Sequence, residues 1–112
     1  MSVRCQEYNS VGVISIEGDL NEEAADELRK IVSERMAQRA VARFVIDLEK
    51  CPFIDSQGLE ALLRVKSLCE ESLGSLRLAA PDDNIRKILE ITRLEARLET
   101  HADLPSALKN LR

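Results

Sequence analysis

Tryptophan is absent from this sequence, and Tyr8, Phe44 and Phe53 are the only aromatics in 112 residues. The core must therefore be assembled mainly from Leu, Ile, Val and Ala. No apolar run approaches the roughly 18 residues that a membrane span requires. The opening "MSVRCQEYNS" lacks the apolar centre of a secretory signal, so a cytoplasmic protein is expected. Cysteine is scarce and odd in number: Cys5, Cys51 and Cys69 form no C-x-x-C pair and no Cys/His cluster. Free thiols in a reducing compartment follow, and structural zinc does not. With four glycines, the chain contains neither G-x-x-x-x-G-K-[ST] nor G-x-G-x-x-G, so no phosphate-cradling loop is signalled. The acidic residues show no metal-ligand spacing. An excess of positive charge is missing too. The formal charge is −4, and the basic residues Arg29, Lys30, Arg35 and Arg39 are interleaved with glutamates. That is an exposed mixed-charge helix face, not a footprint for nucleic acid.

What is present is a chain of one domain's length, residues 1–112, 45% hydrophobic and 32% charged. "VRCQEY" and "VGVISIEG" read as two strands joined at Asn9-Ser10. "DLNEEAADELRKIVSERMAQ" repeats Leu20, Ala24, Leu28, Ile31, Val32 and Met36 at helical spacing. Asn21 suits its N-cap, and Glu22 and Glu23 suit its electropositive first turn. "ARFVIDL" is apolar almost throughout, the pattern of a strand covered on both faces. A second helix is expected from about Ser56 to Leu73. Leu59, Leu62, Leu63 and Cys69 would form its inner stripe, Glu60 and Arg64 an outer i,i+4 pair, and Gly74 its C′ residue. "SLRLAA" follows as a strand, Pro81-Asp82-Asp83 opens a third helix, "ARLETH" forms a short strand, and Asp103-Leu104-Pro105 opens a last helix. The order implies an α/β domain. Its sheet is mixed and mostly parallel, of four to five strands, with about four helices packed on it. Right-handed crossovers would bring the loops Asp19–Asn21, Asp55–Gly58 and Pro81–Asp83 to one carboxyl edge, where open α/β sheets place their sites.

The stretch "CPFIDSQGLEALL" puts a carboxylate and a hydroxyl side by side where a helix begins. Asp and Ser are both favoured N-caps, so capping alone would explain either residue. "IDSQGL" is not the G-x-S-x-G nucleophile elbow. His101, the sole histidine, stands near the last strand, and nothing selects it as a base for Ser56.

In this context the chain resembles, along nearly its whole length, the STAS domains of the bacterial anti-sigma factor antagonist family. "EGDLNEEAADELR" resembles the family's G-x-L-D entry to the first helix. "RFVIDLEKCPFIDSQGLEALL" resembles its strand and D-S-x-G-L signature, and "LRLAAPDDNIRKILEITRLEARLETHADLPSALKNL" its later strand, helix, T-G-L region and closing helix. The departures are Asn21 where the family has Asp, Gln57 for the second Ser of D-S-S-G, Arg93 for the Gly of T-G-L, and Leu73-Gly74-Ser75 where the family has Gly-Gly. The resemblance implies a protein that is a substrate, not an enzyme, without cofactor or metal. An anti-sigma factor with serine kinase activity would phosphorylate Ser56, and a serine phosphatase would reverse the change. Partner contacts would come from Asp19, Asn21, Asp55, Ser56, Gln57, Gly58 and Glu60. Direct contact with nucleic acid is not implied. Related domains also act as scaffolds and as cytoplasmic subunits of transport systems, which is the rival expectation.

Overall fold

The computed structural model describes residues 2–39, 42–109 and 111. Strands β1 (Ser2–Tyr8) and β2 (Val11–Glu17) form an antiparallel hairpin. Both turn residues have positive φ, Asn9 at 52° and Ser10 at 66°, the backbone twist that a two-residue hairpin demands. Helix α1 (Glu22–Arg39), strand β3 (Arg43–Asp47), helix α2 (Ser56–Glu71), strand β4 (Ser75–Ala79), helix α3 (Asp83–Ile91), strand β5 (Glu99–His101) and helix α4 (Leu104–Leu108) follow. The five strands lie in sequence order, and β2 to β5 are mutually parallel. This is the expected mixed sheet with four helices.

Crossovers of one hand put successive helices on one face. The main core accordingly joins Ile14, Ile16, Phe44, Ile46 and Leu78 of the sheet to Leu28, Leu62, Ile85 and Leu89 of α1, α2 and α3. A smaller cluster on the other face unites Val11, Val13, Val45 and Ala79 with Ala107 of α4. Phe44, Val45 and Ile46 are all fully buried, so β3 is the doubly covered strand its composition implied. Arg77 of β4 fastens α4 from beneath. Its Nη1 donates to the carbonyls of Ala107 (3.0 Å) and Lys109 (2.9 Å), while its Nε meets Glu99 at 2.9 Å.

Three details of α2 differ from the sequence pattern. Its buried stripe runs through Gly58, Ala61, Leu62, Val65 and Cys69, with Leu59 and Leu63 only half-buried. The ion pair on its exposed side joins Lys66 to Glu70 (2.8 Å) instead of Glu60 to Arg64. The C′ residue is Leu73, not Gly74. Leu73 has φ 61° and donates to the Glu70 carbonyl at 3.0 Å, and Gly74 donates to that of Cys69 at 2.7 Å. Together these bonds form a Schellman motif. Glycine is needed one residue later for a different reason: a Cβ on Gly74 would stand 2.0 Å from the Ala42 carbonyl oxygen. The end of α3 repeats the device. Arg93, also at φ 61°, donates to Glu90 at 3.0 Å, and Leu94 donates to Leu89 at 2.8 Å.

A left-handed conformation disfavours any residue with a Cβ, and Leu73 is 94% exposed, so its side chain gains nothing in return. Leu73→Gly and Arg93→Gly are each expected to stabilise the protein by about 0.5–1 kcal/mol, the glycine's greater unfolded-state entropy offsetting part of the relief. The check is a higher urea midpoint at unchanged slope.

Candidate functional site

The carboxyl edge of the sheet is built by backbone pairing between loops. The Gly18 N–H donates to Lys50 (3.0 Å), Leu20 to Phe53 (2.9 Å) and Asp55 to Leu20 (3.3 Å). Leu20 and Ile54 thus form a short parallel bridge beyond the ends of β2 and β3. Both side chains are buried, Leu20 at 0% and Ile54 at 2% exposure. This bridge holds the β2–α1 and β3–α2 loops at the same height and starts α1 and α2 side by side.

Each helix entering this edge is capped by a short polar side chain. Asn21 Oδ1 accepts from Ala24 N–H at 3.1 Å, Asp55 Oδ1 from Gly58 N–H at 2.9 Å, and Asp82 Oδ1 from Ile85 N–H at 2.9 Å. The cap of α2 is therefore Asp55, and Ser56 is the first helical residue, exposed, with no hydrogen bond from its hydroxyl to any described residue. The N–H groups of Ser56 and Gln57 belong to the first turn, which lacks the i−4 acceptors of a helix interior.

The bridge gathers Asp19, Asn21, Asp55, Ser56 and Gln57 onto one edge; Asp19, Asn21, Ser56 and Gln57 are exposed and Asp55 is half-buried. Glu60 lies one turn further along α2. With Gln57, Arg29, Leu63, Arg64 and Ser67 it lines a shallow groove between α1 and α2. Gly58 is different, because it is buried. A Cβ there would stand 2.2 Å from the Leu20 carbonyl oxygen and 2.8 Å from Ile54 Cγ2. Its place is beneath the surface, holding the loops together.

The edge is acidic. Asp19 and Asp82 come from different loops, yet both act on the thiol of Cys51, which is 1% exposed and donates to the Phe53 carbonyl at 3.4 Å. Burial pushes the Cys51 thiol up, and the two carboxylates add to the shift against hydrogen bonds to the Leu20 and Phe53 backbone that oppose it. Cys51 stays protonated at neutral pH, and its thiolate is not available as a nucleophile. His101 ends β5, two strands from β3, with Nε2 2.6 Å from Glu99 Oε2, and it makes no contact with Ser56. Among the described residues no group of His, Cys, Asp and Glu could hold a metal ion. No helix among them is long and apolar enough to cross a membrane.

One residue of this edge escaped the sequence pattern. Phe53 is 49% exposed, although Cys51 and Ile54 around it are buried. Its position in a loop after Pro52, in a chain with so few aromatics, was the available signal.

The family model for the STAS domain matches residues 2–107. The chain belongs to the STAS domain family. This STAS domain is 20% identical over 94 residues to the anti-sigma F factor antagonist of Paenibacillus polymyxa, covering 84% of this chain and 80% of that one. Its fold matches that of a putative anti-sigma factor antagonist from Thermotoga maritima, with TM-score 0.89, 19% identity, and 98% and 94% of the two chains covered. It also matches the Bacillus cell fate determinant SpoIIAA in its phosphorylated form, with TM-score 0.77, 22% identity, and 99% and 100% covered. A sulfate transporter family protein from Wolinella succinogenes shares the fold as well, with TM-score 0.80, 21% identity, and 92% and 85% covered.

The edge of this STAS domain separates two jobs, which substitution distinguishes. Gly58→Ala is expected to cost about 1–3 kcal/mol, because a methyl group is forced into a filled space. Asp55→Ala is expected to cost about 1 kcal/mol through the lost cap. Ser56→Ala, exposed and uninvolved in capping, is expected to stay within about 0.5 kcal/mol of the parent. Urea denaturation of the three variants gives the comparison.

Proposed function

We propose that this STAS domain is an anti-sigma factor antagonist controlled at Ser56. The unmodified form binds an anti-sigma factor with serine kinase activity through the loops around Asp19, Asn21 and Asp55 and the first turns of α2, where Gln57 and Glu60 are exposed. Binding frees the sigma factor. The kinase then transfers the γ-phosphoryl group of ATP to Ser56 Oγ, releasing ADP, and the complex parts. A serine phosphatase hydrolyses the ester and restores binding. The domain is the substrate of both enzymes, and ATP belongs to the kinase.

The observation that carries this reading is the free hydroxyl of Ser56 at the first position of α2, with the cap supplied by Asp55. A phosphoryl group there adds about −1.5 to −2 charges and three acceptor oxygens. The first-turn N–H groups and the helix dipole accommodate part of that charge, so the fold has no reason to change. The effect falls on the interface instead. A surface fitted to a neutral hydroxyl must now desolvate a dianion beside Asp55. Stranding a buried charge costs several kcal/mol, and about 1.4 kcal/mol is a tenfold change in affinity. A hundredfold switch needs no rearrangement.

A second reading keeps the fold and omits the switch: a scaffold, or a cytoplasmic subunit of a transport system. The fold shared with the sulfate transporter family protein from Wolinella succinogenes favours it. Incubation with anti-sigma serine kinases and ATP separates the two. The expected result is a mass gain of one phosphate that disappears in Ser56→Ala. Ser56→Ala should hold the kinase constitutively and Ser56→Glu should bind it at least tenfold more weakly. Equal affinity of the two variants would refute charge exclusion. An unmodified protein in a stable transporter complex would establish the second reading.

A further inference from the structure

Among the described residues four large hydrophobic side chains stand exposed: Tyr8, Phe53, Leu73 and Ile91. Three have local explanations at the opposite edge. Leu73 is the C′ residue of α2, Ile91 is the last residue of α3, and Tyr8 ends β1 at the hairpin turn. Phe53 has none of these. It lies on the carboxyl edge, three residues before Ser56, where the chain had the choice of burying a ring and did not.

Its backbone is fixed from two sides. The Phe53 carbonyl accepts from the Leu20 N–H at 2.9 Å and from Cys51 Sγ at 3.4 Å. The next residue, Ile54, is 2% exposed and pinned in the bridge with Leu20. With the Ile54 side chain turned into the core, the neighbouring Phe53 ring is turned outward and is 49% exposed. With the backbone fixed, docking has only the ring itself to order, and buried aromatic rings are among the residues that dominate interface energies. The edge around it is mainly acidic: Asp19, Asp55 and the α3 cap Asp82 come from three loops, and Lys50, the cation of the Phe53 loop, lies 3.8 Å from Glu17.

We propose that Phe53 is the apolar anchor of the docking surface, received by a pocket on the partner protein that is apolar at its centre and rimmed by Arg or Lys. This deepens the reading of the edge given above and rests on it. The ring sets how long the complex lasts, and the carboxylates set how fast it forms. The Ser56 phosphate acts at the margin of the same pocket, where a dianion must be desolvated as the ring enters.

The test measures binding to the purified anti-sigma serine kinase of the source genome that holds the unmodified protein most tightly, over a series of salt concentrations. Phe53→Ala is expected to weaken binding by roughly thirtyfold or more, mainly through faster dissociation. The slope of log Kd against log salt should not change. Phe53→Gln, which keeps bulk without an apolar face, should act alike, and Phe53→Leu should recover part of the loss. Asp19→Asn and Asp82→Asn should slow association and flatten the salt slope. Comparable melting temperatures establish that the variants are folded, and Phe53→Gln serves if Phe53→Ala is not. Parent-like affinity of the folded Phe53 variant overturns the anchor, and the proposed switch survives if Ser56→Ala and Ser56→Glu still differ. Weak binding by the Phe53 variants with equal affinity of the two Ser56 variants keeps the anchor and removes the switch. If no such kinase binds the unmodified protein, both proposals fall.

Discussion

The approach of Gly58 to the Leu20 carbonyl oxygen is the constraint on which the site depends. Any side chain at 58 would collide with that oxygen and with Ile54. Without the close approach, the Leu20–Ile54 bridge could not lie beneath the first turn of α2. The two loops would then part, and Asp19 and Asn21 would no longer share an edge with Asp55 and Ser56. Backbone geometry, not attraction among the exposed polar residues, therefore assembles the surface. Exposed charges contribute little in water. Buried backbone pairs and two buried aliphatic side chains supply a defined geometry instead. The outer residues Asp19, Asn21, Ser56 and Gln57 are left exposed.

Much of this was legible in the chain, and the reasons are local. The uninterrupted apolar run at Phe44–Ile46 identifies a strand covered on both faces because no polar residue interrupts it. Asn21 is readable as a cap because two glutamates and a helical repeat follow it. Strand and helix order then fixes the crossover side, and with it the common edge. The D-S-x-G-L signature pointed to the same place.

The rest was hidden because it depends on contacts between distant segments. Asp55 and Ser56 are both good caps, and sequence rules do not choose between them. The choice came from the entry angle that the bridge imposes, which leaves Asp55 extended and Ser56 helical. The glycine after α2 looked like the left-handed C′ residue because glycine usually holds that place. It is glycine because Ala42 lies against it, and Leu73 takes the positive φ. The inner stripe of α2 is likewise set by Gly58 facing Leu20, so that Leu59 and Leu63 turn half outward. Phe53 was hidden because its exposure follows from the pairing of Leu20 with Ile54, a contact between distant segments.

The division of labour between Asp55 and Ser56 has a consequence for any modification at this edge. Were Ser56 the cap, its oxygen would be committed to a backbone N–H, and esterification would disturb the helix start. The cap would compete with the modification, and stability would be coupled to signalling. Because Asp55 holds the cap, a group added at Ser56 meets opposing fields of comparable reach. The first-turn N–H groups and the helix dipole attract it, and the Asp55 carboxylate repels it. These effects partly cancel within the domain. On the proposed reading they would not cancel for a docked protein, which would have to strip water from the added charge and would gain nothing from the dipole in exchange. The arrangement would then confine the energetic effect of the charge to the interface and leave the domain itself unchanged in both states.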